Sequence, residues 1–165
     1  MILPMFDLVF QFRLRMVLAV FFFALNQAHA ADFSVVQIKQ QLTLGQANLK
    51  GKDLSDLDLS GIDFRGADLS GANLFASKLV SANFSGANLS RATLNGAWLM
   101  GTNFADANLT GASLLSVVIL GGEVKQMPNF AGANLSEVRM IADLPRANLA
   151  GANLSNARIG VNIKN

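Results

Sequence analysis

The stretch IDFRGADLSGANLFASKLVSANFSGANLS, residues 62–90, repeats every five residues. Each unit is built around a large apolar centre, such as Phe64, Leu69 or Leu74. A small residue stands two places before the centre, and Asn or Asp usually stands one place before it. This period fits neither the 3.6-residue period of an α-helix nor the 2-residue period of a flat strand. Short fixed repeats indicate a solenoid, in which each unit buries its apolar side only by stacking on its neighbours.

The repeat resembles the pentapeptide-repeat family, whose unit is Ala-(Asp/Asn)-Leu-x-x. The resemblance rests on ANLKG at 47–51, IDFRGADLSGANL at 62–74 and SANFSGANLS at 81–90, and it extends to about Gly160. It implies an all-β fold: a right-handed quadrilateral β-helix (solenoid) of about six coils, with four units in each coil. The central Leu or Phe and the small residue before it would point inward, and the other three positions would lie at the surface or in the corners.

The five-residue spacing is broken twice near the end of the repeat. The centre after Val124 is Phe130, six residues on, and Leu144 follows Met140 after only four residues. We expect one extra residue near Pro128 and one missing residue later, each accommodated as a bulge at a corner, because loops tolerate insertions better than packed walls do.

Four units of five residues place positions that differ by 20 above one another. Phe64, Phe84 and Phe104 are then expected to stack inside one face, where aromatic rings can pack in an offset arrangement. These residues are expected to form core, not a cofactor site.

The sequence before the repeat divides into two segments. Arg13 and Arg15 precede a run of apolar residues, and Ala28-His29-Ala30 follows it, which is typical of a secretory signal peptide with its cleavage site. The run is too short to span a bilayer, which needs about 20 residues. The expected organisation is a signal peptide at 1–30, an N-terminal cap segment at 31–46 and the pentapeptide-repeat β-helix at 47–165. Two alternatives remain open: the true start is Met5, or the segment is an uncleaved membrane anchor.

The cap segment is expected to contain a short helix, because Ser34 suits an N-cap and Gly45 suits a C-terminal stop. Val35, Ile38 and Leu42 would share its apolar face. At the other end only residues 161–165 remain after the last unit. That tail is too short for a helical cap, so we expect either the tail or a second subunit to cover the last coil.

The residue types exclude most catalytic chemistry. The chain has no Cys, and its one His, His29, would leave with the signal peptide. A Ser or Thr nucleophile would therefore have no imidazole base beside it. We expect a non-catalytic protein without cofactor or metal. The five acidic residues near the first coil, which could suggest a cation site, would point outward around different faces, whereas such a site needs six to eight converging oxygens: they are Asp53, Asp56, Asp58, Asp63 and Asp68.

Two function classes remain. The first is an exported structural or protein-interaction module, which would bind a protein partner or a second copy of itself and no nucleic acid, and would meet a membrane only through an uncleaved signal segment. The second follows from the resemblance, because some family members mimic double-stranded DNA and bind topoisomerases. Such mimicry needs a strongly negative surface. The whole chain has 13 basic and 11 acidic residues, which favours the first class. We therefore expect an exported protein of the periplasm, a lumen or the extracellular space.

One expected face of the solenoid has large apolar residues at outward positions. Its predicted centres are Leu59, Leu79, Leu99, Ile119, Met140 and Ile159. The candidate interaction residues are Val80, Trp98, Met100, Val118, Leu120 and Ile141, with Lys78, Arg139 and Arg158 as the polar rim. Contiguous apolar patches rimmed by charge mark interaction sites, and Trp and Met are enriched in them. An internal control is the face with predicted centres Leu49, Leu69, Leu89, Leu109, Phe130 and Leu149, which carries no large apolar residue at its outward positions.

The export signal leads to a direct prediction. We expect the mature protein to begin at Ala31 and to be found outside the cytoplasm, because cleavage follows the small-x-small site. The intact mass of the native protein tests this. A mass that retains residues 1–30 would contradict cleavage and would indicate a tethered protein.

Overall fold

Successive coils lie directly on one another in parallel register, usually twenty residues apart. The computed structural model describes residues 34–44, 48–119, 127–142 and 147–160. The signal segment, Gly45, Leu120, Val124, Leu144 and the tail 161–165, on which several sequence predictions fall, lie outside the described residues. One parallel bridge joins Asn48 to Asp68, and the next in the same column joins Asp68 to Asn88. The chain is thereby wound into a right-handed four-sided β-helix.

Each side of the β-helix is a column of unit centres, and we name the four sides in chain order. The Leu49 face has the centres Leu49, Leu69, Leu89, Leu109, Leu135 and Leu154. The Leu54 face has Leu54, Leu74, Leu94, Leu114, Met140 and Ile159. The Trp98 face has Leu59, Leu79, Leu99 and Ile119 among the described residues. The Phe face has Phe64, Phe84, Phe104, Phe130 and Leu149. Each column follows from the parallel bridges made by the residue before every centre.

On the Leu54 face, three segments of the chain form β-strands of three residues each. Strands β1 (Ser113–Leu115), β2 (Arg139–Ile141) and β3 (Arg158–Gly160) form a parallel three-stranded sheet in that order. Leu114 pairs with Met140, and Met140 pairs with Ile159.

Among the described residues, helix α1 (Val35–Thr43) precedes the coils. Ser34 is its N-cap, and it forms a capping box with Gln37: the backbone N–H of Gln37 donates to the Ser34 hydroxyl, and the Gln37 side chain accepts from the Ser34 backbone. Ile38 is fully buried in the core, and Val35 and Leu42 pack against it.

The interior consists of aliphatic side chains with one column of stacked rings. Phe64 and Phe84 are nearly parallel with centroids 4.6 Å apart, and Phe84 and Phe104 follow at 5.3 Å. The prediction that these three rings stack is confirmed. Phe130 continues the stack, 5.1 Å from Phe104, and all four side chains are fully buried.

The position of Phe130 corrects the predicted register. The sequence placed Phe130 and Leu149 on the Leu49 face. In the structure the amide of Asn129 donates to Asn103 across 26 residues, and that of Asn153 donates to Asn134 across 19. The step from Asn103 to Asn129 is thus six residues longer than the usual twenty, and it keeps a Phe on a Phe. Lengthening a loop costs little entropy, whereas a ring missing from the stack would leave a cavity.

Glycine is common at the corners of the coils because the backbone there has a positive φ. The last residue of most units has a positive φ, as Gly132 does at 67°. The carboxylate of Asp106 in the preceding coil lies against Gly132, and an added Cβ would require that side chain to move. Asp106 itself occupies the same corner position with a positive φ of 56°, a conformation that Asp tolerates better than most residues.

A ladder of side-chain amides runs along the outside of the coils. In six rungs the amide nitrogen of an Asn donates to the carboxyl or carboxamide oxygen one coil earlier: Asn73 to Asp53, Asn88 to Asp68, Asn103 to Asn83, Asn108 to Asn88, Asn129 to Asn103 and Asn153 to Asn134. The same oxygen also accepts from a backbone N–H two residues on, as Asn88 Oδ1 does from Ser90 at 3.2 Å. An Asn is needed wherever a rung must both donate and accept, and an Asp can stand only where acceptance is enough.

The Phe stack predicts a large loss on truncation. We expect Phe84→Ala to lower the free energy of unfolding by about 3–5 kcal/mol, because it leaves a cavity between two rings. The control Ser85→Ala removes only a half-exposed hydrogen bond, 2.9 Å long, from Ser85 Oγ to Asn83. It should cost less than about 1 kcal/mol. Denaturant midpoints measure both changes, and equal losses would contradict the stacking.

The ladder predicts that the same substitution has different effects on different rungs. Asn103→Asp removes the donation to Asn83, 3.1 Å away, and places a carboxylate against that acceptor. We expect a loss of about 1–3 kcal/mol of stability. Asn48→Asp is the control, because Asn48 is on the first described rung and accepts from Lys50 without donating to an earlier coil. Its effect should stay within about 0.5 kcal/mol. Two equal effects, measured by chemical denaturation, would show that the ladder contributes nothing.

Candidate functional site

Four of the six predicted interaction residues lie together on the Trp98 face. Trp98 bridges Lys78 on one side and Val118 on the other, so these three follow one another up the same column. Val80 and Met100 stand beside them, and the carbonyl of Met100 accepts from Ser81 at 2.8 Å. Trp98 is exposed, and Val80, Met100 and Val118 are partly exposed. The grouping of these four follows from the 20-residue register. Leu120 lies outside the described residues.

Ile141 does not belong to that column. The sequence placed it above Leu120, but it pairs with Leu115 and with Gly160 on the Leu54 face. Met140 and Ile159, predicted as centres of the Trp98 face, are likewise on the Leu54 face, as are the predicted rim residues Arg139 and Arg158. The six-residue insertion after Ile119 is the cause, because it moves every later unit by one face.

A second apolar patch therefore lies on the Leu54 face. It consists of Phe75, Leu115 and Ile141, which occupy the outward position just after the unit centre. Phe75 is 49% exposed and Ile141 is 39% exposed. Sequence reasoning missed this patch because the register error separated Leu115 from Ile141. The available signal was Phe75 itself, a large ring at a position where Ser, as in Ser55, is common.

The other two faces are polar. On the Leu49 face the outward side chains are Asn, Asp, Ser, Thr and one Lys; on the Phe face they are Asn, Asp, Ser and Ala with Arg65. Many of these groups are engaged locally: the Thr110 hydroxyl donates to Asn108 at 2.7 Å, and the Ser155 hydroxyl donates to Asn153 at 2.7 Å. The corrected register leaves the control face without large outward apolar residues, so the solenoid has an apolar half and a polar half.

The acidic residues of the first coil are held by local donors. The hydroxyl and the backbone N–H of Ser55 lower the pKa of Asp53, and those of Ser60 lower the pKa of Asp58. Hydrogen bonds from Arg65 lower the pKa of Asp63, and the two form an ion pair of 2.6 Å. Within the described residues no group of His, Cys, Asp or Glu is arranged to hold a metal ion.

The buried hydroxyls have structural partners. Ser77 Oγ donates to the carbonyl of Leu74 at 2.8 Å, and Thr102 Oγ1 donates to that of Leu79 at 2.8 Å. Both hydroxyl protons are therefore committed to backbone carbonyls in the core and are not poised for nucleophilic attack.

Comparison with known proteins agrees with the repeat. The family model described as Pentapeptide repeats matches residues 40–71, 67–106 and 88–117, in 8 copies. The chain belongs to the pentapeptide-repeat family. No curated protein matches it.

Several solved structures are similar to the chain. A pentapeptide repeat protein (Rfr23) from the cyanobacterium Cyanothece is 30% identical, with 59% of each chain covered and a TM-score of 0.25. A pentapeptide repeat protein from the Arabidopsis thaliana thylakoid lumen is 35% identical over 55% of this chain and 69% of its own, with a TM-score of 0.25. The plasmid-mediated fluoroquinolone resistance protein QnrB1 is 18% identical over 68% of this chain and 64% of its own, with a TM-score of 0.28. The chain thus covers less than two thirds of the Cyanothece protein and of QnrB1.

A search of the described residues for membrane spans found no helix with the length and apolar character needed to cross a bilayer.

Proposed function

We propose that this protein is an exported, non-catalytic interaction module that binds a protein partner through the Trp98 face. The observation that carries the proposal is the contrast between faces of one rigid solenoid. Trp98, Met100 and Val118 present apolar surface on one side, while the Leu49 face presents ladder-bound Asn and short polar side chains. Apolar surface on a soluble repeat costs solubility, so its restriction to particular faces favours a binding role.

The distribution of charge supports this function over mimicry of DNA. The first coil contains Asp53, Asp58 and Asp63, but Lys78 and Arg65 lie beside them, and Lys78 Nζ is 3.9 Å from Asp58. A DNA mimic needs a continuous negative surface over its whole length. Here the acidic side chains of the described residues are concentrated near one end and are interspersed with basic ones.

Three finer features belong to the same proposal. Cleavage after Ala30 would deliver the module to the periplasm, a lumen or the extracellular space. Helix α1 would cap the first of about six coils, which shields the open strand edge that otherwise templates aggregation. The buried Ile38 and the packing of Leu42 against the core support that role.

Substitution at Met100 tests the proposed partner site. We expect Met100→Lys to abolish capture of the partner from the native compartment, because it places a charge in the centre of the apolar column. The control is Ser90→Lys, at the equivalent position of the Leu49 face in the same coil, where Lys50 shows that the column accepts Lys. Affinity capture compares the amounts of partner retained by the two variants. An unchanged melting temperature shows that each variant is folded. If the two variants retain equal amounts of the same proteins, the Trp98 face is not the binding site.

A further inference from the structure

The Leu54 face has opposite charges at its two ends, and between them the apolar residues Phe75, Leu115 and Ile141 stand among uncharged polar residues such as Asn95. Its six rungs are marked by the bridged residues Asp53, Asn73, Thr93, Ser113, Arg139 and Arg158, from the first coil to the last. Asp53 is exposed on the first rung, and Arg139 and Arg158 are exposed on the last two. Lys52 lies beside Asp53, but Asp56 on the same rung leaves that end acidic. Glu137 precedes Arg139, and the two Arg leave the other end basic.

The charged groups at both ends can meet another molecule. Asp53 is held by three hydrogen bonds, from the Ser55 backbone, the Ser55 hydroxyl and the Asn73 amide, and all three end on Oδ1. Its other oxygen, Oδ2, is the one able to face a guanidinium. Within the described residues neither Arg139 nor Arg158 belongs to an ion pair.

The face is complementary to itself when one copy is turned end for end. A two-fold axis across the middle of the face, between the third and fourth rungs, places the first rung against the sixth and the second against the fifth. Asp53 then opposes Arg158 of the second copy. Phe75 opposes Ile141, and both are exposed large apolar side chains at outward positions of this face. Each of these pairs occurs twice, as an isologous interface requires.

The alternative two-fold arrangement is electrostatically unfavourable. An axis parallel to the solenoid would place each rung against the same rung of the second copy. Because this axis also reverses the strand direction, Arg139 would oppose Ile141 and Arg158 would oppose Gly160 of the second copy. The two basic ends would then lie side by side with no carboxylate opposite either Arg, which disfavours association. The charges of this face therefore distinguish the antiparallel pairing from the parallel one.

We propose that the Leu54 face is a self-association surface and that its occupant is a second, antiparallel copy of this chain. This goes beyond the partner site on the Trp98 face, because it uses a different side of the solenoid and leaves Met100 accessible. The strands of this face, β1 to β3, are the most regular extended structure described, so the surface is preformed.

The size of the face sets the expected strength of the dimer. Six rungs at about 4.8 Å and a wall of three residues at about 3.3 Å give a flat area of about 24 Å by 10 Å. This is smaller than the ~800 Å² per partner of a standard interface. We therefore expect a weak dimer that is populated at protein concentrations of about 10⁻⁵ to 10⁻³ M and weakened by salt.

Charge exchange between two variants is the decisive experiment. Asp53→Lys makes both ends of the face basic, and Arg158→Glu makes both ends acidic. Each variant alone should be monomeric by sedimentation equilibrium at about 10⁻⁴ M, and an equimolar mixture of the two should form a heterodimer. Melting temperatures check that each variant is folded. If the unmodified protein is monomeric up to about 10⁻³ M, or if the mixture stays monomeric while the unmodified protein dimerises, the proposal is overturned.

The apolar centre gives a second, independent comparison. We expect Phe75→Ser to weaken the dimer at least about tenfold without loss of stability, because Ser occupies the equivalent position of the first coil at Ser55. Met100→Lys on the Trp98 face should leave the dimer unchanged while it abolishes partner capture. The reverse result, a dimer lost with Met100→Lys and kept with Phe75→Ser, would overturn this proposal and would place self-association on the Trp98 face.

Discussion

Every face of this protein depends on the alignment of each coil with the coil before it. The backbone bridges alone would allow a coil to slide, since parallel strands pair in any register that preserves the pleat. The Phe stack and the Asn ladder remove that freedom, because Phe104 fits above Phe84 and Asn103 reaches Asn83 in one register only. Once the register is set, the outward positions of successive coils form straight columns. Each coil then contributes one rung of outward side chains to each face.

The strength of that alignment explains what the sequence could and could not predict. The five-residue period, together with the four units per coil that the family resemblance implied, predicted the four-sided solenoid, the stacking of Phe64, Phe84 and Phe104 and the grouping of Val80, Trp98, Met100 and Val118. The period gave the wrong face after Ile119, because every residue there was counted as part of a five-residue unit in the wall. The type of residue was the better guide: Asn129-Phe130 repeats Asn103-Phe104, and a Phe preceded by Asn occurs on only one face.

The same reasoning shows why the second patch was missed. A residue just after a unit centre points outward on all four faces, so its meaning depends entirely on which residues share its column. Neither Leu115 nor Ile141 indicates a patch when it is considered alone. The strand pairing of β1 with β2 places the two side by side. A periodic sequence therefore specifies which positions are inside more reliably than it specifies which outward positions are neighbours.

The ladder of Asn side chains also gives the molecule a direction of growth. Every amide donation in this ladder runs from a later coil to an earlier one, so a carboxylate such as Asp53 or Asp68 accepts from the next coil but donates nothing to the coil before it. A duplicated stretch of twenty residues from the Asn-rich middle would insert as one additional coil. Its amide donors and oxygen acceptors would already match those of the coils before and after it. A duplicated first coil would instead place carboxylates on a later rung, and these have no amide hydrogens to donate to the coil before them. A coil can therefore be added in the middle of the solenoid at less cost to the ladder than at its first coil.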